Sequence, residues 1–204
     1  RDGTRVDAGM TVEMWVFTNG VEAELVVNGA SLGRKVVSNH SHAQWDAVPY
    51  VPGEVVARVY ARVGDETPIA TDSVVTVDPP TKLVMGPAIN LAAGEALPAN
   101  GVDVALYHVS VVDANGRVVP EAAHEVTFTV SEGGAVVGTG NGDPSSHVPD
   151  HAPTRPVYHG LVLGIVRADD ATAGTEITVT ASAKGLGEVT QKLKVVPPAK
   201  QPRL

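Results

Sequence analysis

Valine outnumbers every other large apolar residue in this 204-residue chain, and this constrains the fold more than any other feature of the sequence. There are 37 valines against 11 leucines and 4 isoleucines, together with 21 glycines and 15 prolines. Valine is stiff at χ1 and favours pleated strands, whereas glycine and proline interrupt helices and occupy turns. The sequence therefore predicts strands joined by tight turns and excludes a helix-rich fold.

Turn signals divide these strands into two blocks. Asn28-Gly29 lies between two β-rich segments, which is a strong hairpin signal, and further strands follow at spacings of about ten residues. Asp78-Pro79-Pro80 ends the first block, because proline cannot donate to a ladder. In the second block Tyr107 and Val109 alternate with more polar neighbours, as in a strand with one buried face. We predict two tandem antiparallel β-sandwiches.

Charge and composition exclude several classes of function. The chain has 15 Lys and Arg against 23 Asp and Glu, so its formal net charge is −8. An acidic chain without a basic cluster argues against nucleic-acid binding, and no apolar run approaches the roughly 18 residues of a membrane-spanning helix. The absence of cysteine excludes disulfides and thiolate catalysis. We predict no nucleic-acid partner, no membrane insertion and no cofactor.

An ordered series of segments then points to a family. In the first block the segments are 15–19 (WVFTN), 24–35 (ELVVNGASLGRK) and 45–54 (WDAVPYVPGE), and in the second they are 97–103 (LPANGVD), 112–120 (VDANGRVVP), 138–144 (GTGNGDP) and 182–186 (SAKGL). The first set resembles the immunoglobulin-like domain that follows the catalytic barrel in glycoside hydrolase family 2 enzymes of the β-galactosidase type. The second set is similar to the most C-terminal sandwich of that family.

The resemblance implies an accessory region of a carbohydrate-degrading hydrolase. Two immunoglobulin-like sandwiches are expected at 1–79 and 80–198, followed by a flexible tail at 199–204. Family members use two glutamates in a (β/α)8 barrel, and no stretch of this chain alternates strand and helix as such a barrel requires. The chain is therefore expected to be non-catalytic alone and to buttress the catalytic barrel of the same parent chain. Whether it also borders the substrate cleft stays open at this point.

The beginning of the chain bears on where such a parent acts. The chain begins with Arg1 rather than methionine, and residues 1–20 lack the charged and then apolar layout of a signal peptide. We therefore expect a piece of a longer protein. The absence of cysteine does not fix the compartment, since large β-domains can be secreted without disulfides. With the family resemblance, a secreted or periplasmic location is expected for that protein.

Two alternatives to the accessory role remain at this stage. The chain can be a carbohydrate-binding module that holds its enzyme on an oligosaccharide or polysaccharide, because sugar rings stack on exposed aromatic side chains. Trp45 and Tyr50 flank the turn-prone Val48-Pro49 and are the predicted exposed pair. The other alternative is a cell-surface immunoglobulin-like adhesion or spacer unit, which leaves the family-like segments unexplained.

Catalytic and metal sites are not predicted. The acidic residues Asp46, Glu54 and Asp113 fall at predicted turns or strand ends, where carboxylates serve turn geometry and solubility. His40 and His42 are alternate residues, which on a strand point to the same face and suit chelation of one metal ion. No third ligand is identifiable nearby. Ser145 and Ser146 lie near His147 and Asp150, yet neighbours in one loop rarely form a triad.

A long loop in the second block is the remaining candidate. The segment 138–156 contains many glycines and prolines and is too long for a hairpin loop. Its glycine-rich start lacks the following helix that a phosphate cradle needs. Asn141 and Asp143 are its candidate residues, and we expect them to act as structural caps.

Overall fold

The computed structural model describes residues 9–38, 41–92, 94–169 and 174–198, and within these ranges every regular element is a β-strand. The all-β fold class with antiparallel sandwiches is confirmed. The chain divides into two compact units, Arg1–Thr76 and Val77–Leu204, called here the N-terminal and C-terminal units. The predicted domain limits at 79 and 80 stay predictions, and the predicted tail at 199–204 lies outside the described residues.

The described part of the N-terminal unit has six strands in two sheets. They are β1 (Thr11–Phe17), β2 (Glu22–Val27), β3 (Ala30–Val36), β4 (His42–Pro49), β5 (Glu54–Tyr60) and β6 (Ala70–Val75). β1 and β4 form a two-stranded sheet, and the other sheet has the order β3-β2-β5-β6. Two strands therefore face four, and in the described part of the chain β1 has β4 as its only strand neighbour.

The core of this unit lies between its two sheets and is small. Its buried members are Ala23, Leu25, Val37, Ala43, Trp45 and Val48. The register of β1 and β4 shifts between Val12 and Met14, so that Asp46 and Ala47 together oppose Glu13. A β-bulge of this kind resets the side-chain alternation, and both Trp45 and Val48 consequently point inward.

Two turns of the N-terminal unit are joined by a single side chain. Asn28 and Gly29 both have positive φ, 49° and 82°, and close the predicted β2–β3 hairpin as a type I′ turn. The Asn28 side chain accepts a hydrogen bond from Glu54 N at 2.7 Å and donates to Pro52 O at 3.3 Å. Gly53 has a φ of 142°, and a Cβ added there would overlap the Asn28 side chain.

The described part of the larger C-terminal unit has nine strands. They are β7 (Lys82–Met85), β8 (Leu97–Pro98), β9 (Val104–Val112), β10 (Glu125–Val130), β11 (Gly134–Gly140), β12 (Thr154–Pro156), β13 (Leu161–Ala168), β14 (Glu176–Ala183) and β15 (Gly187–Val196). One sheet has the order β12-β10-β14-β15-β8 and the other β11-β13-β9-β7. The pair β15–β8 is parallel, and the other pairs are antiparallel.

A large apolar core fills the space between these two sheets. The described part of the core cluster contains 23 buried residues, with the rings of Tyr107 and Phe128 among the largest. Gly164 on β13 lies under the Phe128 ring, where an added Cβ would come within 2.5 Å of ring carbons. Burial raises the pKa of Tyr107 to about 12. The space between the two sheets of the C-terminal unit is therefore filled by side chains of that unit.

The Asp113–Gly116 turn ends β9 and is organised by one carboxylate. Asp113 accepts hydrogen bonds from the backbone N–H groups of Asn115, Arg117 and Asp78, at 2.9, 2.9 and 3.1 Å. Burial alone would raise the pKa of Asp113, but these three donors hold it below its usual value. Asp113 therefore serves the turn, as its position in the sequence predicts.

Candidate functional site

The outer face of the β1–β4 sheet carries exposed aromatic rings. Residues of β1 alternate, so that Glu13, Trp15 and Phe17 face outward while the residues between them face the core. Trp15 is 51% exposed and Phe17 is 72% exposed. On β4 the half-buried His42 stacks on Trp15, with 4.6 Å between ring centroids and 24° between planes, and it lies 5.1 Å from the Phe17 ring.

Polar side chains continue this row of rings along the same face. The Gln44 amide nitrogen donates to a carboxylate oxygen of Glu13 and to one of Asp46. Its amide oxygen lies 3.3 Å from His42 Nε2. We call the six residues Glu13, Trp15, Phe17, His42, Gln44 and Asp46 the β1 platform. Rings and planar polar groups thus lie side by side on one exposed surface.

Beneath β1, the same unit contains an open groove. The groove has a volume of about 420 Å³ and is lined by Val16 and Thr18 near the end of β1, by Ala57 and Val59 of β5, and by Ala70 and Asp72 of β6, with Trp15, Phe17 and Thr71 completing it. The register places Ala70 opposite Val59 and Asp72 opposite Ala57, on the inner face of the sheet. No described residue therefore covers the inner face of β6 beside β1.

The other face of the four-stranded sheet holds a closed ionic network. Glu22 pairs with Arg34 at 3.1 Å, and Glu24 pairs with Arg58 at 3.5 Å. Tyr60 and Ser31 donate hydroxyl hydrogen bonds to Glu24, and the Arg34 guanidinium lies 3.8 Å from the centroid of the Tyr60 ring.

This network accounts for the ionisation of Glu24. The Ser31 hydrogen bond lowers the pKa of Glu24, and the Tyr60 hydrogen bond and the two arginines add to this effect against the opposing effect of burial. Because the charged groups satisfy one another, the network holds β2, β3 and β5 together.

Trp45 and Tyr50, predicted as an exposed pair, do not share an exposed surface. Trp45 is only 6% exposed and belongs to the core, because β4 continues through Pro49 instead of turning at Val48-Pro49. Tyr50 is half-buried after the end of that strand. The expected exposure of Trp45 is therefore wrong. Sugar contact by these two residues stays a prediction, and the two most exposed Phe, Trp or Tyr rings among the described residues, Phe17 and Trp15, belong to β1.

The long loop of the C-terminal unit is organised from within. Asn141 donates to Pro156 O at 2.9 Å and accepts from Asp143 N at 3.0 Å, and Asp143 in turn accepts from the N–H and the hydroxyl of Ser145. These hydrogen bonds from Ser145 lower the pKa of Asp143. Both candidate residues of the loop bond to the loop itself, in the manner of caps.

A buried arginine, which the sequence analysis did not single out, anchors this loop. The Arg155 side chain is 4% exposed, and its Nε donates to Thr139 Oγ1 at 3.0 Å. Its terminal nitrogens donate to Ser146 Oγ, to the carbonyl oxygens of Val148 and Pro149, and to Asp150. The loop is therefore tied to β11 and β12 by one guanidinium.

The described residues contain neither a cluster of metal-ligating side chains nor a membrane-spanning helix. No group of three or more His, Asp or Glu side chains there is placed to hold a metal ion. His40 of the considered His40–His42 pair lies outside the described residues. No helix long and apolar enough to cross a membrane is present among them either.

Comparison with known families accounts for both units. Residues 91–192, half of the chain, match the family model described as glycoside hydrolase family 2 C-terminal domain 5. The chain belongs to glycoside hydrolase family 2. Residues 9–68 match a second model, a domain of unknown function named DUF4982. The predicted resemblance is confirmed, and the matched domain is a C-terminal one of the family.

Individual relatives agree with this assignment. The chain is 30% identical over 188 residues to the β-galactosidase BoGH2A of Bacteroides ovatus, and 29% identical over 196 residues to a β-glucuronidase of Formosa agariphila. It covers 21% and 19% of these two proteins, while they match 91% and 94% of the chain. The chain thus spans about a fifth of the length of its curated relatives.

Solved structures of the family show the same fold. A β-glycosidase from Bacteroides vulgatus matches 92% of this chain with 23% of its own, at 25% identity and a TM-score of 0.76. A β-glucuronidase from glycoside hydrolase family 2 matches 96% of this chain with 20% of its own, at 26% identity and a TM-score of 0.79. In both structures the chain corresponds to a minor part of a larger glycosidase.

Proposed function

We propose that this chain is a non-catalytic accessory region of a family 2 glycosidase and that its N-terminal unit buttresses the catalytic barrel of the same polypeptide. The observation that carries the proposal is the unequal sandwich of two strands over four. Within the described residues it leaves the inner face of β6 and one edge of β1 open around a groove of about 420 Å³. Val74, opposite Val55 on that face, is 64% exposed.

The groove has a mixed lining, with polar Thr18, Thr71 and Asp72 beside apolar side chains, and its apolar part is costly in water unless another part of a protein covers it. Burial of apolar area contributes roughly 25 cal/mol per Å², and open sheet edges invite pairing with another segment. The chain accounts for about a fifth of its curated relatives, so most of a protein of that size lies outside it. We infer that the catalytic part of the parent enzyme covers the groove.

The parent reaction is part of the proposal, and the relatives, a β-galactosidase and a β-glucuronidase, support glycoside hydrolysis in general. The Bacteroides ovatus relative is a β-galactosidase, and we propose β-galactoside hydrolysis for the protein that carries this region. The purified 204-residue chain should not release nitrophenol from aryl β-galactosides or β-glucuronides. Turnover that persists through purification and is lost only on unfolding would overturn the non-catalytic role.

A matched pair of variants on β6 tests the buttress. Ala70→Arg places a charge in the groove, whereas Ser73→Arg places the same charge on the opposite face of the same strand. In the polypeptide that includes the catalytic part, Ala70→Arg should lower the melting temperature and kcat of the enzyme, and Ser73→Arg should leave both nearly unchanged. Equal effects of the two variants would contradict docking at the groove.

The same variants also test whether the N-terminal unit lies beside the substrate cleft. If the N-terminal unit borders the cleft, Ala70→Arg should also raise KM for extended galactosides more than for an aryl galactoside. If both substrates respond equally, the region supports the barrel without touching substrate.

A further inference from the structure

The β1 platform has two features that a solvent-facing sheet rarely combines. Its rings are exposed and held in place by one another, since Trp15 stacks on His42 and meets Phe17 edge to face at 6.0 Å and 68°. Beside them the carboxylates of Glu13 and Asp46 converge on the Gln44 amide. Contiguous exposed apolar surface with a polar border marks binding sites in general.

The rings need a ligand with an apolar face. Aromatic side chains present a broad surface with an electron-rich face, and they recognise partners that are apolar on one side and polar at the edges. A hexopyranose ring fits this description, because its axial C–H groups form one flat apolar face and its hydroxyl groups project around the rim.

The polar groups need a ligand rich in donors. Ionised carboxylates accept hydrogen bonds and cannot donate them, and the charge-assisted bonds that they accept are strong. Each carboxylate or amide also offers two coplanar atoms, which match the spacing of neighbouring hydroxyls on a sugar. An apolar protein surface laid over Glu13 and Asp46 would instead desolvate two charges without pairing them, which is unfavourable.

The charge of the platform selects against acidic ligands. None of its six residues is a lysine or arginine, and the nearby Lys35 donates to the Gln44 carbonyl oxygen at 2.6 Å. Lys35 keeps its charge, but its ammonium lies 5.3 Å from the centroid of the buried Trp45 ring. Among the described residues the platform itself therefore carries two carboxylates and no lysine or arginine, which disfavours uronates and sulfated sugars. We propose that the β1 platform binds neutral hexopyranosyl units of an oligosaccharide, with Trp15 and Phe17 as stacking surfaces and Glu13 and Asp46 as hydroxyl acceptors.

The two proposals concern adjoining surfaces, because Trp15 and Phe17 line the groove as well as the platform. Glu13, Gln44 and Asp46, in contrast, belong to the platform alone. Asp46→Ala removes a hydroxyl acceptor that does not line the groove, so it should weaken oligosaccharide binding without affecting docking of the barrel. Loss of sugar binding in Asp46→Ala with normal docking, or the reverse, separates the two proposals.

The test is calorimetric titration of the 204-residue chain with neutral galacto-, gluco- and manno-oligosaccharides and with oligogalacturonide. At least one neutral series should bind in the millimolar range or tighter, and the oligogalacturonide should bind more weakly. Trp15→Ala and Phe17→Ala should each weaken binding about tenfold, the loss expected for one stacked ring. Leu32→Ala, an exposed apolar position on β3, is the matched control and should change nothing.

Each other result counts against the site. Absence of binding to all neutral series, tighter binding of the acidic oligosaccharide, or equal affinity of Trp15→Ala and the unaltered chain overturns the proposal. Concentration-dependent self-association that Trp15→Ala abolishes, without sugar binding, would assign the platform to protein contacts instead. The emission of buried Trp45 verifies that the Trp15→Ala variant remains folded.

Discussion

The two units reach a folded state with very different amounts of buried apolar surface. In the described residues the C-terminal core cluster has 23 buried members, whereas the N-terminal cluster has six. The C-terminal sheets have five and four strands, but the N-terminal sheets have four and two. Small domains bury a smaller fraction of their surface and are correspondingly marginal. The comparison indicates that the C-terminal unit has a core large enough to be stable by itself. The N-terminal unit has a small core, which suits a domain that another protein segment covers.

Removing the largest core ring of the N-terminal unit should have the greatest effect. Trp45→Ala is expected to cost about 3–5 kcal/mol, which rivals the whole stability of a small domain. Hydrogen exchange followed by mass spectrometry should show β2 and β5 losing protection while β9 and β13 keep theirs.

Trp45→Phe is the control for this experiment and should cost less. The indole Nε1 of Trp45 is buried without a hydrogen-bond partner in the described part of the protein, so phenylalanine also removes an unsatisfied donor. Retained protection of β2 in Trp45→Ala would show that the small core is stronger than its size suggests.

A comparable truncation in the C-terminal unit should be tolerated better. Phe128→Ala removes a ring that is 1% exposed, at a similar cost of about 3–5 kcal/mol. The larger core should remain folded at room temperature, with a melting temperature lowered by roughly 10 °C or more in calorimetry. Complete unfolding of this unit at 25 °C would remove the contrast between the two cores.

The Arg155 anchor should have a smaller and local effect. Arg155→Met leaves the carbonyl oxygens of Val148 and Pro149 without their donor, which is expected to cost about 1–3 kcal/mol. Exchange should accelerate first in residues 141–153. Asp150→Asn is the control, because the Asp150 side chain is fully exposed and such a pair contributes little. Equal acceleration in both variants would contradict the anchoring role.

The smallest expected effect depends on pH and concerns Asp113. Its pKa is lowered in the folded protein, so its contribution to stability is complete above the ordinary carboxyl pKa of about 4 and disappears as pH falls through the lowered value. Asp113→Asn should therefore melt a few degrees lower at neutral pH, and the difference should shrink in acid. A difference that grows on acidification would contradict this assignment.

Much of the fold could be predicted from local signals. Valine-rich alternation predicts the strands, and Asn28-Gly29 predicts a hairpin whose two positive φ angles the structure shows. The face to which a ring belongs was harder to predict. Thr11 and Glu13 alternate in step with Trp15 and Phe17, so the polar residues indicate that this face of β1 is exposed. The inward position of Trp45, in contrast, depends on how β4 pairs with β1.

The Arg155 anchor was beyond local reasoning for a different physical reason. Its hydrogen-bond partners include Thr139 and Ser146, which lie 16 and 9 positions away in the chain. No periodicity links residues at such distances, since the contacts exist only once the loop has closed on the sheet. The hydrogen bonds from Asp143 N to Asn141 and from Ser145 to Asp143, in contrast, span two positions each and are typical of Asn and Asp in turns. The bond from Asn141 to Pro156 O spans 15 positions and was as unpredictable as the contacts of Arg155.

The Asn28 side chain has a consequence for anyone who re-engineers the loops of this domain. Because it hydrogen-bonds with residues on both sides of Gly53, the hairpin tip and the neighbouring bend share one set of geometric requirements. Inserting a tag or lengthening a loop at either position removes the hydrogen bonds that fix the conformation of the other. The two loops therefore form one grafting site and have to be redesigned as a pair.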